Sequence, residues 1–315
     1  MSVFSDFTFP SSTGKNTIHV RRWDPEGEAR GIVQIAHGIA EHIGRYDDFM
    51  EFLADNGFVV VGNDHLGHGK SVTDPADRGF FAEEDGWNKA VDDMNILHDI
   101  MREEYPGLPY IFFGHSMGSF LTRTYMIRYP DSPDLAILCG TGHQPKAAVA
   151  SGLAVAEVSA RTAGARKPGK ALNDIAFGGY NKRTDNRTPY DWISSIPEEV
   201  DKYAADENCG FIATVGLFRD MMTGISFITD QANIGKMNRN LPVLLIAGWD
   251  DPVGEYGKGV KRAFTAFCRA GMKNVHIKLY PGARHELLHD VCRGEVCADI
   301  LAWIARNTAS SESVE

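Results

Sequence analysis

The sequence predicts an α/β protein: a mostly parallel central sheet covered by helices on both faces and interrupted by an inserted, mainly helical segment. Three observations predict it. Short β-branched apolar runs alternate with stretches of helical spacing from residue 31 to residue 139. That rhythm stops at 143 and resumes at 242. A G-x-S-x-G pentapeptide, Gly114-His-Ser-Met-Gly118, joins one of the apolar runs to the helix after it.

Gly31 to Ala36 and Phe58 to Gly62 read as buried strands, short and apolar throughout. Between them, Tyr46 to Asn56 carries Phe49, Met50, Phe52 and Leu53 at helical spacing and stops at Gly57. A second helix runs from Trp87 to Glu104, with Val91, Met94, Leu97, His98 and Met101 on one side. Tyr110 to Phe113 is a strand, Phe120 to Tyr129 a helix ended by Pro130, and Leu135 to Cys139 another strand.

The segment 143–240 contains helical fragments at 147–160 and 211–228 but no convincing strand. Its stretch 161–187, rich in Gly, Lys, Arg and Asn, reads as loop. Strands return at Pro242–Ala247 and Val275–Tyr280, with helices over 256–270 and up to about Arg306. The expected organisation is therefore a core of 1–142 plus 241–308, a helical cap at 143–240, and a frayed polar tail at 309–315. No internal repeat or low-complexity tract is present.

Composition excludes several classes. A chain of 315 residues, 43% hydrophobic and 23% charged, is neither disordered nor collagen-like. The formal charge of −10 argues against a nucleic-acid partner, which would want a basic face. Five cysteines, odd in number and without a C-x-x-C pair, suit neither a disulfide framework nor a structural zinc site. The N-terminus shows no secretory pattern and no apolar run is long enough to span a bilayer, so a cytoplasmic protein is expected.

The pentapeptide gains its meaning from context. Four apolar or aromatic residues lead into Gly114, and a helix follows Ser116. That is the sharp strand-to-helix turn that projects a serine hydroxyl above a sheet edge, with free N–H groups of the helix start behind it. A serine needs a histidine base, itself oriented by a carboxylate, and in this architecture the order is serine, acid, histidine. Asp250 and Asp251 follow one downstream strand and His285 follows the next, on the same sheet edge as Ser116. Spacing alone leaves the two aspartates as alternatives.

GHSMGS, with HGIAEHIGRY at 37–46, DHLGHGKS at 64–71, AGWDDPVG at 247–254 and YPGARHELL at 280–288, resembles the monoacylglycerol lipase and lysophospholipase branch of the α/β-hydrolases. That branch is also grouped under the serine aminopeptidase name. The resemblance covers roughly 30–140 and 240–305, and the insertion matches a cap by position and size. It implies Ser116 as nucleophile, Asp251 as acid and His285 as base. It implies an oxyanion hole formed by the backbone N–H groups of Ile39 and Met117. Glu41 and Arg45 match charged positions flanking the oxyanion loop, expected to orient it or meet a polar head group, or to form a structural salt bridge.

His285-Glu286-Leu-Leu-His289 is also a literal H-E-x-x-H. The zinc mechanism needs both histidines on one helix face, whereas Pro281 and Gly282 put His285 in a loop or first turn. His65-x-x-His68 and His37 with His42 fit the hydrolase loops better than a metal cluster. No metal and no cofactor is therefore expected. Phe218, Met221, Met222 and Phe227 read as cap packing or as an adaptable acyl-chain wall.

The expected activity is cleavage of small lipidic carboxylic esters through an acyl-enzyme, with monoacylglycerols or lysophospholipids implied by the resemblance. The cap is the part that would touch a membrane surface transiently. Two alternatives stand beside it: an aminopeptidase-like amide hydrolase, which needs a cap acid such as Glu198, Glu199, Asp206 or Glu207 near the site, and a non-catalytic small-ligand receptor.

Overall fold

Pairing in the sheet follows from which runs are apolar on both sides. In a computed structural model describing residues 1–308, eight strands form one sheet. They are β1 (Val3–Pro10), β2 (Thr17–Asp24), β3 (Ile32–Ala36), β4 (Val59–Asn63), β5 (Tyr110–His115), β6 (Leu135–Cys139), β7 (Val243–Gly248) and β8 (Val275–Tyr280). Their order is β1-β2-β4-β3-β5-β6-β7-β8. From β4 to β8 every neighbouring pair is parallel. Strands β3 to β7 are buried almost throughout, because Ile32, Phe112 and Leu138 face one apolar layer while Val33, Phe113 and Ile137 face the other.

The helices are α1 (Asp47–Asp55), α2 (Gly86–Glu104), α3 (Met117–Arg128), α4 (Lys146–Ala163), α5 (Lys170–Phe177), α6 (Pro197–Ala205), α7 (Val215–Thr229), α8 (Gln231–Ile234), α9 (Lys258–Arg269) and α10 (Arg293–Thr308). The chain passes from β3 to β4 on one side and then crosses to β5 on the other. The crevice between the ends of β3 and β5 is thus a topological switch point, where open α/β sheets bind ligands. Five helices, α4 to α8, lie between β6 and β7.

Two features depart from the sequence reading. The first 24 residues form the antiparallel hairpin β1–β2, which the sequence reading omits, and β2 joins the sheet against β4. Most of β1 is exposed, so it lacks the continuous apolar signature of an interior strand. The stretch 161–187 is not all loop: it holds α5 and a 3₁₀ turn at Tyr180–Arg183. In α5, Leu172, Ile175 and Ala176 have helical spacing, masked in the sequence by the flanking Gly, Lys and Asn. The expected frayed tail, 309–315, lies outside the described residues.

Candidate active site

Each candidate side chain hangs from the C-terminal end of a parallel strand. Ser116 sits between β5 and α3 with φ +53° and ψ −121°, a conformation outside the regions that side chains ordinarily favour. Its N–H donates to the Cys139 carbonyl at 3.0 Å, which pins the turn to the end of β6. The flanking glycines leave no room for a side chain. A Cβ on Gly114 would stand 2.4 Å from Thr122 Oγ1, and one on Gly118 would stand 2.0 Å from the Ala36 carbonyl oxygen.

Asp251 follows β7 and is fully buried, whereas Asp250 is exposed. Asp251 Oδ1 accepts the Val253 N–H at 2.8 Å and lies 3.0 Å from His285 Nδ1. His285, in the loop after β8, is 2% exposed, and its Nε2 makes no hydrogen bond among the described residues. Gly140 has φ +59°, and a Cβ there would stand 2.9 Å from His285 Cε1, so glycine keeps the ring clear. Ser116 and His285 line one cavity.

The loop after β3 lies against the serine. A Cβ on Gly38 would be 3.1 Å from Ser116 Cβ. Ile39 N–H makes no hydrogen bond among the described residues, and Met117, first in α3, has no acceptor within the helix. Glu41, 2% exposed, holds this loop from below. It accepts the Gly38 N–H, the Tyr46 hydroxyl at 2.9 Å and Arg45 at 2.8 Å, and lies 3.2 Å from His115 Nδ1.

Arg45 grips Glu286 through two bonds of 2.6 and 2.7 Å, and its guanidinium lies over the Tyr203 ring. Glu41 and Arg45 are therefore a buried ion pair extended by Glu286. Burial opposes charge on Glu41, but the His115 bond and the Arg45 charge hold it well below the usual carboxylate range. Burial likewise works against a protonated His115, yet the Glu41 carboxylate raises its pKa.

Beneath the loop, His37, His65 and His68 cluster in tilted and edge-on contacts with ring centroids 4.2 to 6.5 Å apart. His37 Nδ1 donates to the Gly38 carbonyl at 2.7 Å while its Nε2 accepts the His65 N–H at 3.0 Å. Burial pushes His37 down to about 3 and lowers His65 and His68 as well, so all three are neutral props. His42 points elsewhere, to Asp206. The H-E-x-x-H pattern is not a ligand pair: His285 faces Asp251, and His289, in a 3₁₀ turn, donates Nε2–H to the Arg45 carbonyl at 3.1 Å.

Two cavities meet at Ser116. One, about 590 Å³, is lined by polar groups including Asn173, Asn181, Thr188 and Tyr190. The other, about 460 Å³, is almost wholly apolar, with Phe120, Val149, Ala156, Leu172, Met221 and Met222 in its wall. Ile39, Ser116 and Phe177 belong to both. Of the set noted in the sequence, Phe218, Met221 and Met222 line the apolar cavity; Phe227 does not. The sequence reading missed Trp192, whose ring stands 5.1 Å from that of His285, and Tyr203, whose hydroxyl donates to the Ala40 carbonyl. Nothing in their local spacing marks them, because both reach the site only through folding of the inserted segment.

A strained serine turn, a buried Asp–His pair and an unbonded N–H beside them, all on one edge of this sheet, define an α/β-hydrolase. Comparison with known proteins narrows the class. Residues 27–291 match the model of the serine aminopeptidase S33 family, and the chain belongs to that family. It is 28% identical to a monoacylglycerol lipase of Mycolicibacterium smegmatis, over 96% of this chain and 98% of the relative. Human monoglyceride lipase is 25% identical, over 93% and 88% respectively. Among solved structures, a thermostable carboxyl esterase from Bacillus coagulans in complex with glycerol superposes with a TM-score of 0.91. That esterase is 32% identical, with 97% of this chain and 99% of that one covered.

Proposed function

We propose that the protein hydrolyses monoacylglycerol-type carboxylic esters through a Ser116 acyl-enzyme. The observation that carries this reading is the position of Ser116 where a largely apolar cavity meets one of mixed lining that brings in Asn, Thr and Tyr groups. An ester bond placed there has its acyl chain on the apolar side and its alcohol among Asn, Thr and Tyr groups. The chain is a carboxylic ester hydrolase, and its relatives named for monoacylglycerol cleavage support the substrate class. Lysophospholipids present the same acyl ester and belong to the proposed range.

In this mechanism Asp251 accepts His285 Nδ1–H, which leaves Nε2 as the base. Nε2 takes the Ser116 hydroxyl proton as Oγ attacks the ester carbonyl. The Ile39 and Met117 N–H groups hold the resulting oxyanion. Collapse breaks the bond to the alcohol, which leaves with the proton from His285. Water then gives a proton to His285 and attacks the acyl-enzyme, and the acid departs as Ser116 regains its proton. Glu41 acts on this step by fixing the Gly38 N–H, and Arg45 by pairing with Glu41 and Glu286.

The inserted segment 143–240 serves as the cap. Val155 and Ile175 line the apolar cavity and are 46% and 74% exposed, with Val158 nearby on α4 at 60%. This rim suits transient contact with a lipid surface. Among the described residues no helix is long and apolar enough to cross a membrane. All five cysteines are free, which supports residence in the reducing cytoplasm.

A panel of monoacylglycerols, lysophospholipids, short esters and amino-acid anilides tests the reading. Turnover of monoacylglycerols well above that of the anilides is expected. Preference for anilides would overturn it and favour the aminopeptidase alternative. None of Glu198, Glu199, Asp206 and Glu207 lines the Ser116 cavity; of the acids that do, Glu41 and Glu286 are paired with Arg45 and Asp174 of α5 is exposed.

A further inference from the structure

The end of α6 and the segment after it are fastened to the oxyanion loop at several points. Tyr203 Oη donates to the Ala40 carbonyl at 2.9 Å, and the Gly210 N–H donates to the same oxygen at 2.9 Å. Between these two anchors lies a cluster that the ester chemistry does not use: His42 from the loop, and Asp206 and Cys209 from the inserted segment. Each offers one ligand atom, and the three atoms all lie within 4.8 Å of one another.

We infer that His42, Asp206 and Cys209 form a binding site for a borderline-soft divalent cation, zinc above all. The donor set is one nitrogen, one oxygen and one sulfur, a mixture that zinc takes and that hard oxygen-seeking cations do not. His42 Nε2 and Asp206 Oδ2 stand 2.9 Å apart. Tetrahedral zinc with bonds of about 2.0–2.3 Å needs ligand atoms roughly 3.3–3.8 Å apart. The nitrogen–oxygen edge thus opens by a few tenths of an ångström, and the sulfur closes by about 1.5 Å at most.

The site is also oriented. Asp206 Oδ1 accepts the Asn208 N–H at 2.8 Å, which turns Oδ2 toward His42 and the thiol. Cys209 is buried while His42 and Asp206 are partly exposed, so solvent reaches a fourth position. The neighbouring Arg45 charge is met by two carboxylates, Glu41 and Glu286, so it does not leave a net positive field. Binding replaces the Cys209 S–H proton with the metal and releases that proton to water, while the Nε2–H that His42 directs at Asp206 shifts to Nδ1 and frees Nε2 to ligate. The bound ion ties the oxyanion loop to the inserted segment through coordination, in place of the His42–Asp206 hydrogen bond and beside the two bonds to the Ala40 carbonyl.

The test uses the full chain, metal-stripped, titrated with Co²⁺ and with Zn²⁺ against a chromophoric chelator. Wild-type protein should show a near-ultraviolet thiolate-to-Co²⁺ band at one equivalent, lost in Cys209→Ser. His42→Ala and Cys209→Ser should each weaken Zn²⁺ by more than the roughly 10–100-fold that loss of an outer partner costs. Zinc should raise the melting temperature of wild type and leave that of Cys209→Ser unmoved, with circular dichroism reporting whether each variant is folded. Absence of the thiolate band in wild type overturns the site even if a variant fails to fold. Equal zinc affinity in wild type and folded Cys209→Ser does so as well.

Discussion

His285 Nδ1 lies 3.0 Å from Asp251 Oδ1, with both side chains sealed from solvent and His285 Nε2 left without a partner. That relationship fixes the ring's orientation and tautomer, and it assigns the two neighbouring aspartates different fates. Asp251→Asn should retain the fold and lose about 10⁴-fold in kcat, because the amide can no longer accept Nδ1–H. Asp250→Ala, at an exposed position, should shift stability by no more than about 0.5 kcal/mol and leave kcat close to wild type. Steady-state kinetics on one soluble ester separates the two. Equal losses would contradict the assignment.

Glu41 should behave as a positioning residue. Glu41→Gln leaves the buried Arg45 and His115 facing a neutral amide and loosens the Gly38 N–H. Glu286 still meets Arg45, so the cost is that of buried polar groups losing a charged partner, about 1–3 kcal/mol of stability. That loss is expected in denaturant titrations, together with a fall in kcat larger than any rise in KM. Unchanged kcat in the folded variant would remove Glu41 from the oxyanion argument.

The apolar cavity should set acyl-chain preference. Ala156 is buried in its wall, and Ala156→Leu intrudes on the space a long chain would fill. Each displaced methylene forfeits about 0.8 kcal/mol, close to fourfold in kcat/KM. The ratio of long-chain to short-chain kcat/KM should fall by about tenfold or more for two displaced methylenes. A ratio equal to that of wild type would place the chain elsewhere.

The cluster of three buried histidines predicts acid sensitivity. Burial depresses His37 to about 3 in the folded protein, against an ordinary value of 6.5. Below pH 6.5 the unfolded chain therefore takes up a proton that the folded chain refuses, and stability falls as pH falls toward 3. The slope is about 1.4 kcal/mol per pH unit for each such histidine. Melting temperatures should drop between pH 7 and pH 5, and His37→Gln should flatten the slope. A steeper slope in the variant would contradict burial as the cause.

The reach of the sequence follows the range of each interaction. The strand-to-helix turn at Gly114–Gly118 was readable because its determinants are adjacent: an apolar run, two glycines and a helix start. The choice between Asp250 and Asp251 was not readable from spacing, since it depends on which carboxylate turns inward toward a histidine 34 positions away. Glu286 looked like part of a zinc pattern; its partner, Arg45, lies 241 positions earlier. The β1–β2 hairpin and α5 escaped for a different reason. β1 and α5 expose much of their surface, and β2, though mostly covered, carries His19, Arg21, Arg22 and Asp24, so polar residues dilute the apolar periodicity in each.

The claim on which the rest depends is that Ser116 is an activated nucleophile. A fluorophosphonate probe applied to the folded chain, followed by peptide mass mapping, tests it most directly. The expected result is phosphonylation on the peptide containing Ser116, complete loss of labelling in Ser116→Ala, and strong slowing in Asp251→Asn. Folded protein that stays unlabelled, or that carries the label elsewhere while Ser116→Ala labels like wild type, would contradict it.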